Sequence, residues 1–86
     1  MTKYKVSENF TLHSDENGYL LFDTINGSIY KLNEISFKII SLIDGNRTDQ
    51  EIRETISSKY SVGIETINKD FDDLTKMLLD RHIIKK

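Results

Sequence analysis

Apolar and polar residues alternate along the first third of the chain, which is the pattern of half-buried β-strands. Residues 10–14 alternate clearly, and residues 19–24 and 28–32 are predicted as a second and a third strand. A turn is predicted at 15–18, and Asn26-Gly27 predicts a tight hairpin turn because a type I′ turn requires positive φ at both central residues. We therefore expect three antiparallel strands.

The Asn26-Gly27 turn also predicts a register for the second and third strands. The expected facing pairs are Ile25 with Ser28, Asp23 with Tyr30, and Leu21 with Leu32. One face would then carry Leu21, Ile25, Tyr30 and Leu32, and the other Leu20, Phe22 and Ile29. Three helices pack well on only one face of the sheet, so the apolar residues on the second face need an explanation. Either the N-terminal segment covers them or the small sheet leaves them partly exposed, or else this face contacts a partner or a second copy of the chain.

The rest of the chain shows apolar spacings of three and four residues, which predict three amphipathic helices. Asn33 is a good N-cap for a first helix of about Glu34–Ile43, and Gly45 a good stop at its C′ position. A capping box, 48–51, opens a second helix. A third helix is predicted at about Glu65–Arg81, after which Ile83 and Ile84 are expected to close the end against the sheet.

These elements predict an α+β fold: a three-stranded antiparallel sheet followed by three α-helices, in one domain spanning residues 1–86. The second and third helices can form a helix-turn-helix with the hairpin as its wing. This winged helix-turn-helix-like outline raises a DNA-binding regulator as an alternative function.

The charge pattern opposes that alternative. The net charge is −2, and the predicted third helix, Glu65–Arg81, carries five acidic and three basic residues. A helix that enters the major groove needs Lys and Arg near the phosphates, because neutralising phosphates supplies most of the affinity. We expect no nucleic-acid partner.

Few residues suggest chemistry. The chain has no cysteine and two histidines, with no third ligand at the spacing of a metal site. No pattern of a nucleophile with a histidine and an acid is recognisable. We therefore expect no enzyme activity, no metal and no cofactor. The N-terminus has no signal-peptide pattern, and the longest apolar cluster, Ile39–Ile43, is too short to span a bilayer, so the expectation is a cytoplasmic protein without a membrane partner.

The order of motifs resembles the PqqD-like peptide-recognition domains. The matching positions are Leu32-Asn33-Glu34, Leu42-Ile43-Asp44-Gly45, Thr48, Ile52, Tyr60, Val62, Asp70, Leu74 and Leu78. They extend over nearly the whole chain, from about Phe10 to Ile84.

The resemblance implies that the protein binds the leader segment of a ribosomally synthesised precursor peptide that is later modified. In the family the leader resembles an added strand on the sheet edge, between the third strand and the third helix. The implied edge residues here are Ser28, Ile29, Tyr30 and Lys31. The implied helix wall is Asp70, Asp73, Leu74, Met77 and Arg81.

The resemblance further implies a non-catalytic adaptor that delivers the precursor to maturation enzymes. The expected partners are a leader peptidase, a cyclase or a radical-based modifying enzyme. The implied pathway is of the lasso-peptide or the pyrroloquinoline-quinone type; of these we favour the lasso type, which would place the protein in antibiotic biosynthesis.

A third possible function is that of a small structural subunit that dimerises through its apolar sheet face. We expect a monomer or a weak homodimer.

Overall fold

The structure, a computed structural model, describes residues 2–86. Its elements are β1 (Lys3–Val6), β2 (Phe10–Asp15), β3 (Gly18–Asp23), β4 (Ile29–Leu32), α1 (Glu34–Leu42), β5 (Asp44–Thr48), α2 (Asp49–Tyr60), α3 (Ile64–Asp80) and β6 (Ile84–Lys85). The strands form two antiparallel sheets with the orders β2-β3-β4 and β5-β1-β6. The predicted α+β class and the three helices are confirmed, and β2, β3 and β4 are the three predicted strands.

The predicted register between β3 and β4 is wrong by two residues. Leu21 lies opposite Tyr30, and Phe22 lies opposite Ile29. Because the shift is an even number, each side chain keeps its predicted face, since neighbouring strand residues point to opposite sides. Ile25 is the exception: it lies outside the strand and is 80% exposed.

The Asp23 side chain explains the different register. Its carboxylate accepts hydrogen bonds from the backbone N–H of Ile25 at 2.9 Å and of Asn26 at 3.4 Å. The Gly27 N–H donates to the Asp23 carbonyl at 2.9 Å, with Gly27 at φ +78°. The loop therefore spans residues 24–27 instead of a two-residue turn, because an Asp side chain that binds amides two and three residues ahead favours a wider loop.

The second sheet was not predicted. β1 lies at its centre, with Lys3 opposite Thr48 of β5 and Lys5 opposite Lys85 of β6. Tyr4, between those two lysines, points into the core. β5 is polar and β6 has only two residues, so neither shows the apolar alternation that identifies a strand.

The N- and C-terminal ends of the described chain meet in this sheet. The Ser7 N–H donates to the Ile83 carbonyl at 2.8 Å. Ile83 and Ile84 are buried, as expected, but they close the end through β1 and not through the hairpin sheet. The N-terminal strand thus does not cover the outer face of β2-β3-β4, where Ile29 is 61% exposed.

The helix caps follow the sequence closely. The Asn33 carboxamide oxygen accepts from the Ser36 N–H at 2.7 Å, and Thr48 and Glu51 form the predicted capping box. The predicted role of Gly45 at C′ is wrong. α1 ends at the C-cap Ile43, and Gly45 lies in β5 with φ +84°, where it turns the chain.

The core lies between the three helices and the inner faces of both sheets. Its buried members are Tyr4, Leu21, Ile39, Ile40, Ile43, Ile52, Ile56, Ile67, Phe71, Leu78, Ile83 and Ile84. Arg53 links α2 to α3: its guanidinium lies 4.3 Å from the Phe71 ring centre and donates a hydrogen bond to the Asp72 carboxylate at 2.7 Å. This packing fixes α3 against α2.

Candidate functional site

β4 is an edge strand with one unpaired side. Within residues 2–86 it pairs with β3 and with no other strand. The Asp23 N–H donates to the Ser28 carbonyl at 2.9 Å, and hydrogen-bonded pairs alternate along an antiparallel ladder. Tyr30 and Leu32 therefore direct their backbone groups towards β3, whereas those of Ile29 and Lys31 point away from the sheet.

A groove runs along α3, and at one end its other side is formed by Asn33, which directly follows β4, and by the first turn of α1. One depression, of about 310 Å³, is lined by Asn33, Ile35, Ser36, Asp70, Asp73, Leu74 and Met77. A second, of about 350 Å³, is lined by Asp73, Lys76, Met77, Asp80 and Arg81. The two depressions share Asp73 and Met77, so together they form one continuous groove along α3.

The groove has two distinguishable ends. At one end, the guanidinium carbon of Arg81 lies 5.6 Å from the ring centre of Tyr30. At the other end, Asn33 lies beside Asp70 and Asp73. β4 and α3 therefore run in opposite directions along the groove, and a peptide strand on the β4 edge would run along both.

The structure brings most of the residues proposed from the sequence to this groove. Asp70, Asp73, Leu74 and Met77 line the first depression, and Arg81 lines the second. Leu74 and Met77 are half-buried and form the floor, whereas Asp70, Asp73 and Arg81 are exposed.

The four strand residues divide into different roles. The half-buried Tyr30 shares the face of Leu21, which packs into the core. Ile29 and Lys31 carry their side chains on the outer face of the sheet and contribute only backbone groups to the free edge. Ser28 directly follows the hairpin loop, and its backbone groups are already bonded: its N–H donates to the Asn26 side chain at 2.8 Å and its carbonyl accepts from the Asp23 N–H.

Five lining residues were not among the site residues predicted from the sequence. They are Asn33, Ile35, Ser36, Lys76 and Asp80. The first three follow directly after the edge strand, and the Asn33 cap turns the chain there. This adjacency is the signal that would have placed the first turn of α1 in the groove wall.

Charge is distributed unevenly along the groove. At the Asn33 end, Asp70 has no ion-pair partner among residues 2–86, and Asp73 has only Lys69, at 3.8 Å, with both side chains more than 70% exposed. At the other end, the acidic residues are accompanied by Lys76 and Arg81. The groove is therefore acidic at one end and balanced at the other.

The described part of the chain contains no cluster of three or more His, Cys, Asp or Glu residues arranged to hold a metal ion. No helix between residues 2 and 86 is long and apolar enough to cross a membrane. What the groove offers chemically is a free strand edge, an apolar floor and charged rims.

Two solved structures share this fold. The structure described as lasso peptide synthetase B1 complexed with the leader peptide has a TM-score of 0.81 at 15% sequence identity, covering 99% of this chain and 100% of that one. The structure of TbiB1 in complex with the TbiA(beta) leader peptide has a TM-score of 0.78 at 22% identity, covering 94% of each chain. At such identities the likeness establishes the fold.

Comparisons by sequence give a family. No curated protein matches the chain. The family described as Coenzyme PQQ synthesis protein D (PqqD) matches residues 18–84, which include the hairpin formed by β3 and β4, the groove and all three helices. The chain therefore belongs to the PqqD family.

Proposed function

We propose that this protein is a non-catalytic adaptor that binds the leader segment of a ribosomally synthesised precursor peptide. The observation that carries the proposal is the free edge of β4 beside the α3 groove. The two solved structures reported above are complexes with leader peptides, and membership of the PqqD family supports the same role.

The mode of binding is strand addition. The backbone groups of Ile29 and Lys31 pair with the leader, which becomes the fourth strand next to β4. Backbone pairing of this kind supplies affinity with little demand on sequence, and side-chain pockets supply selectivity. Alternate leader side chains enter the groove, where the contacting residues are Tyr30, Asp70, Asp73, Leu74, Met77 and Arg81. Ser28 contributes less because the loop already uses its backbone groups.

The adaptor delivers the bound precursor to maturation enzymes, namely a leader peptidase, a cyclase or a radical-based modifying enzyme. The likeness to a lasso peptide synthetase component favours a lasso-peptide pathway. Because the precursor is made on ribosomes, the adaptor meets it in the cytoplasm. The proposed peptide-recognition domain spans residues 1–86.

No observation favours the alternative of a winged-helix DNA-binding regulator. α3, Ile64–Asp80, carries five acidic and two basic residues. It would repel phosphates in a major groove, where specific binders place Arg and Lys.

Fluorescence anisotropy tests the proposal. The probes are labelled peptides that copy the N-terminal segments of short precursor reading frames next to the gene, with a scrambled peptide and a random DNA duplex as controls. Saturable nanomolar-to-micromolar binding of one peptide, with no binding of its scrambled version or of the duplex at low salt, is the expected result. Binding of the duplex without any peptide would overturn the proposal.

A further inference from the structure

The Asn33 end of the groove combines an apolar floor with an acidic rim. Ile35, Leu74 and Met77 are half-buried and line the same depression as the exposed Asp70 and Asp73. An apolar floor beneath charged oxygens suits a side chain that is itself apolar along its length and charged at its tip. Lysine and arginine have this construction, with an aliphatic stem that covers apolar surface while the head stays in a polar environment.

The two acidic residues of the rim, Asp70 and Asp73, also have few positively charged neighbours. Asp70 and Asp73 lie three residues apart on one face of α3, where like charges repel each other. The neighbouring acid Asp72 differs, since its carboxylate accepts from the Arg53 guanidinium at 2.7 Å and thereby ties α2 to α3. Asp73 has only the exposed Lys69 at 3.8 Å. A cation that enters the depression therefore relieves a repulsion that the free protein retains.

We propose that this end of the groove selects a lysine or arginine of the leader strand. Its stem lies on Leu74 and Met77, and its charged head reaches Asp70 and Asp73. The inference rests on the proposed leader binding and specifies the class of side chain that the site accepts at this position.

The groove also predicts where this basic residue lies in the leader. Arg81, which stands against Tyr30 at the opposite end, follows Asp73 by eight residues, or about 12 Å along a helix. A strand rises about 3.3 Å per residue, so this length corresponds to about four residues. An even spacing keeps both side chains on the groove side of the strand. The basic residue should therefore lie about four positions from the leader residue that contacts Tyr30.

The test compares two double variants with the same change in net charge. Asp70→Asn/Asp73→Asn neutralises the rim, and Glu8→Gln/Glu16→Gln neutralises two exposed acids in turns away from the groove. Each is titrated with the peptide that binds the wild-type protein and with that peptide carrying Met in place of its basic residue. Circular dichroism verifies that all variants are folded.

We expect Asp70→Asn/Asp73→Asn to weaken the unmodified peptide about 3- to 20-fold at low salt, and less at high salt, as for partly screened ion pairs. The Met peptide should bind the wild-type protein more weakly than the unmodified peptide does. For Asp70→Asn/Asp73→Asn, the two peptides should differ little in affinity, which is the signature of a direct coupling between the basic residue and the two acids. The Glu8→Gln/Glu16→Gln control should bind both peptides like the wild-type protein.

Two results would overturn the inference alone: a leader that binds without Lys or Arg in its paired segment, or equal weakening by both double variants. If no peptide binds the wild-type protein, the proposed function fails, and this inference fails with it.

Discussion

The guanidinium carbon of Arg81 lies 5.6 Å from the ring centre of Tyr30. This contact links the C-cap of α3 to the middle of β4, and so joins the two walls of the groove at one end. Tyr30 and Arg81 come from elements that are distant in sequence. A peptide bound beside β4 would reach the C-terminal end of α3 at this contact.

Arg81→Ala should weaken leader binding about 2- to 5-fold, because it removes a cation that packs against the Tyr30 ring and lines the groove. The free energy of unfolding should change by less than about 1 kcal/mol, since the Arg81 side chain is exposed. Arg81→Lys is the matched control: it keeps the charge but stacks less well. Anisotropy titrations and urea denaturation measure both quantities, and wild-type affinity in the alanine variant would remove Arg81 from the site.

Ile29→Pro tests the free edge directly. The Ile29 N–H points away from the sheet, so proline, which is tolerated at the first residue of an edge strand, removes a donor to the leader without removing one from the fold. One lost hydrogen bond is worth about 0.5–1.5 kcal/mol, and we expect a loss in affinity of about 2- to 12-fold.

Ile29→Ala provides the comparison, because it keeps the N–H and removes the same exposed side chain. It should bind like the wild-type protein. If alanine and proline weaken the leader equally, the side chain matters and strand addition at this edge is the wrong mode.

Leu21→Ala and Leu20→Ala test the two faces of the hairpin. Leu21 is completely buried against the helices, so truncation should cost about 2–5 kcal/mol, which approaches the whole stability of a domain this small. Leu20 lies on the outer face and is only half-buried, so the same change should cost less than about 1 kcal/mol. Thermal unfolding followed by circular dichroism distinguishes them, and similar losses would show that the outer face is covered in solution.

Asp23 should make stability depend on pH. The N–H of Ile25 holds the pKa of this carboxyl below its usual range, with further lowering by the Asn9 side chain and the Asn26 N–H, against the opposing effect of burial. A pKa that is lower in the folded state stabilises the protein above the unfolded pKa, about 3.9, and this contribution is lost as pH falls through the folded value.

Asp23→Asn should therefore be less stable than the wild-type protein near neutral pH, and the difference should shrink as the pH falls below the unfolded pKa, about 3.9, and through the lower folded pKa. Urea denaturation at neutral pH and at a series of acid pH values measures this. A difference that stays constant across the range would show that the Asp23 charge has no part in holding the 24–27 loop.

The sequence by itself determined the features that depend on local interactions. Asn33 and Thr48 cap their helices through bonds to amides three residues away, so the signal and its partner lie in the same few residues. The alternation of side chains along a strand assigned the neighbours Leu20 and Leu21 to opposite faces, since that assignment depends only on position along the strand. The order of such motifs was enough to indicate the family.

Only the tertiary structure decided what depends on residues distant in sequence. β1 pairs with β5 and β6, some 40 and 80 residues further along, and no local pattern in those polar or very short strands announces the pairing. The hairpin register was set by where the Asp23 carboxylate points. The groove exists because core packing brings α3 beside the first turn of α1, and Arg81 beside Tyr30 of β4. The sequence indicates which residues can bind a peptide, but packing decides which of them share one surface.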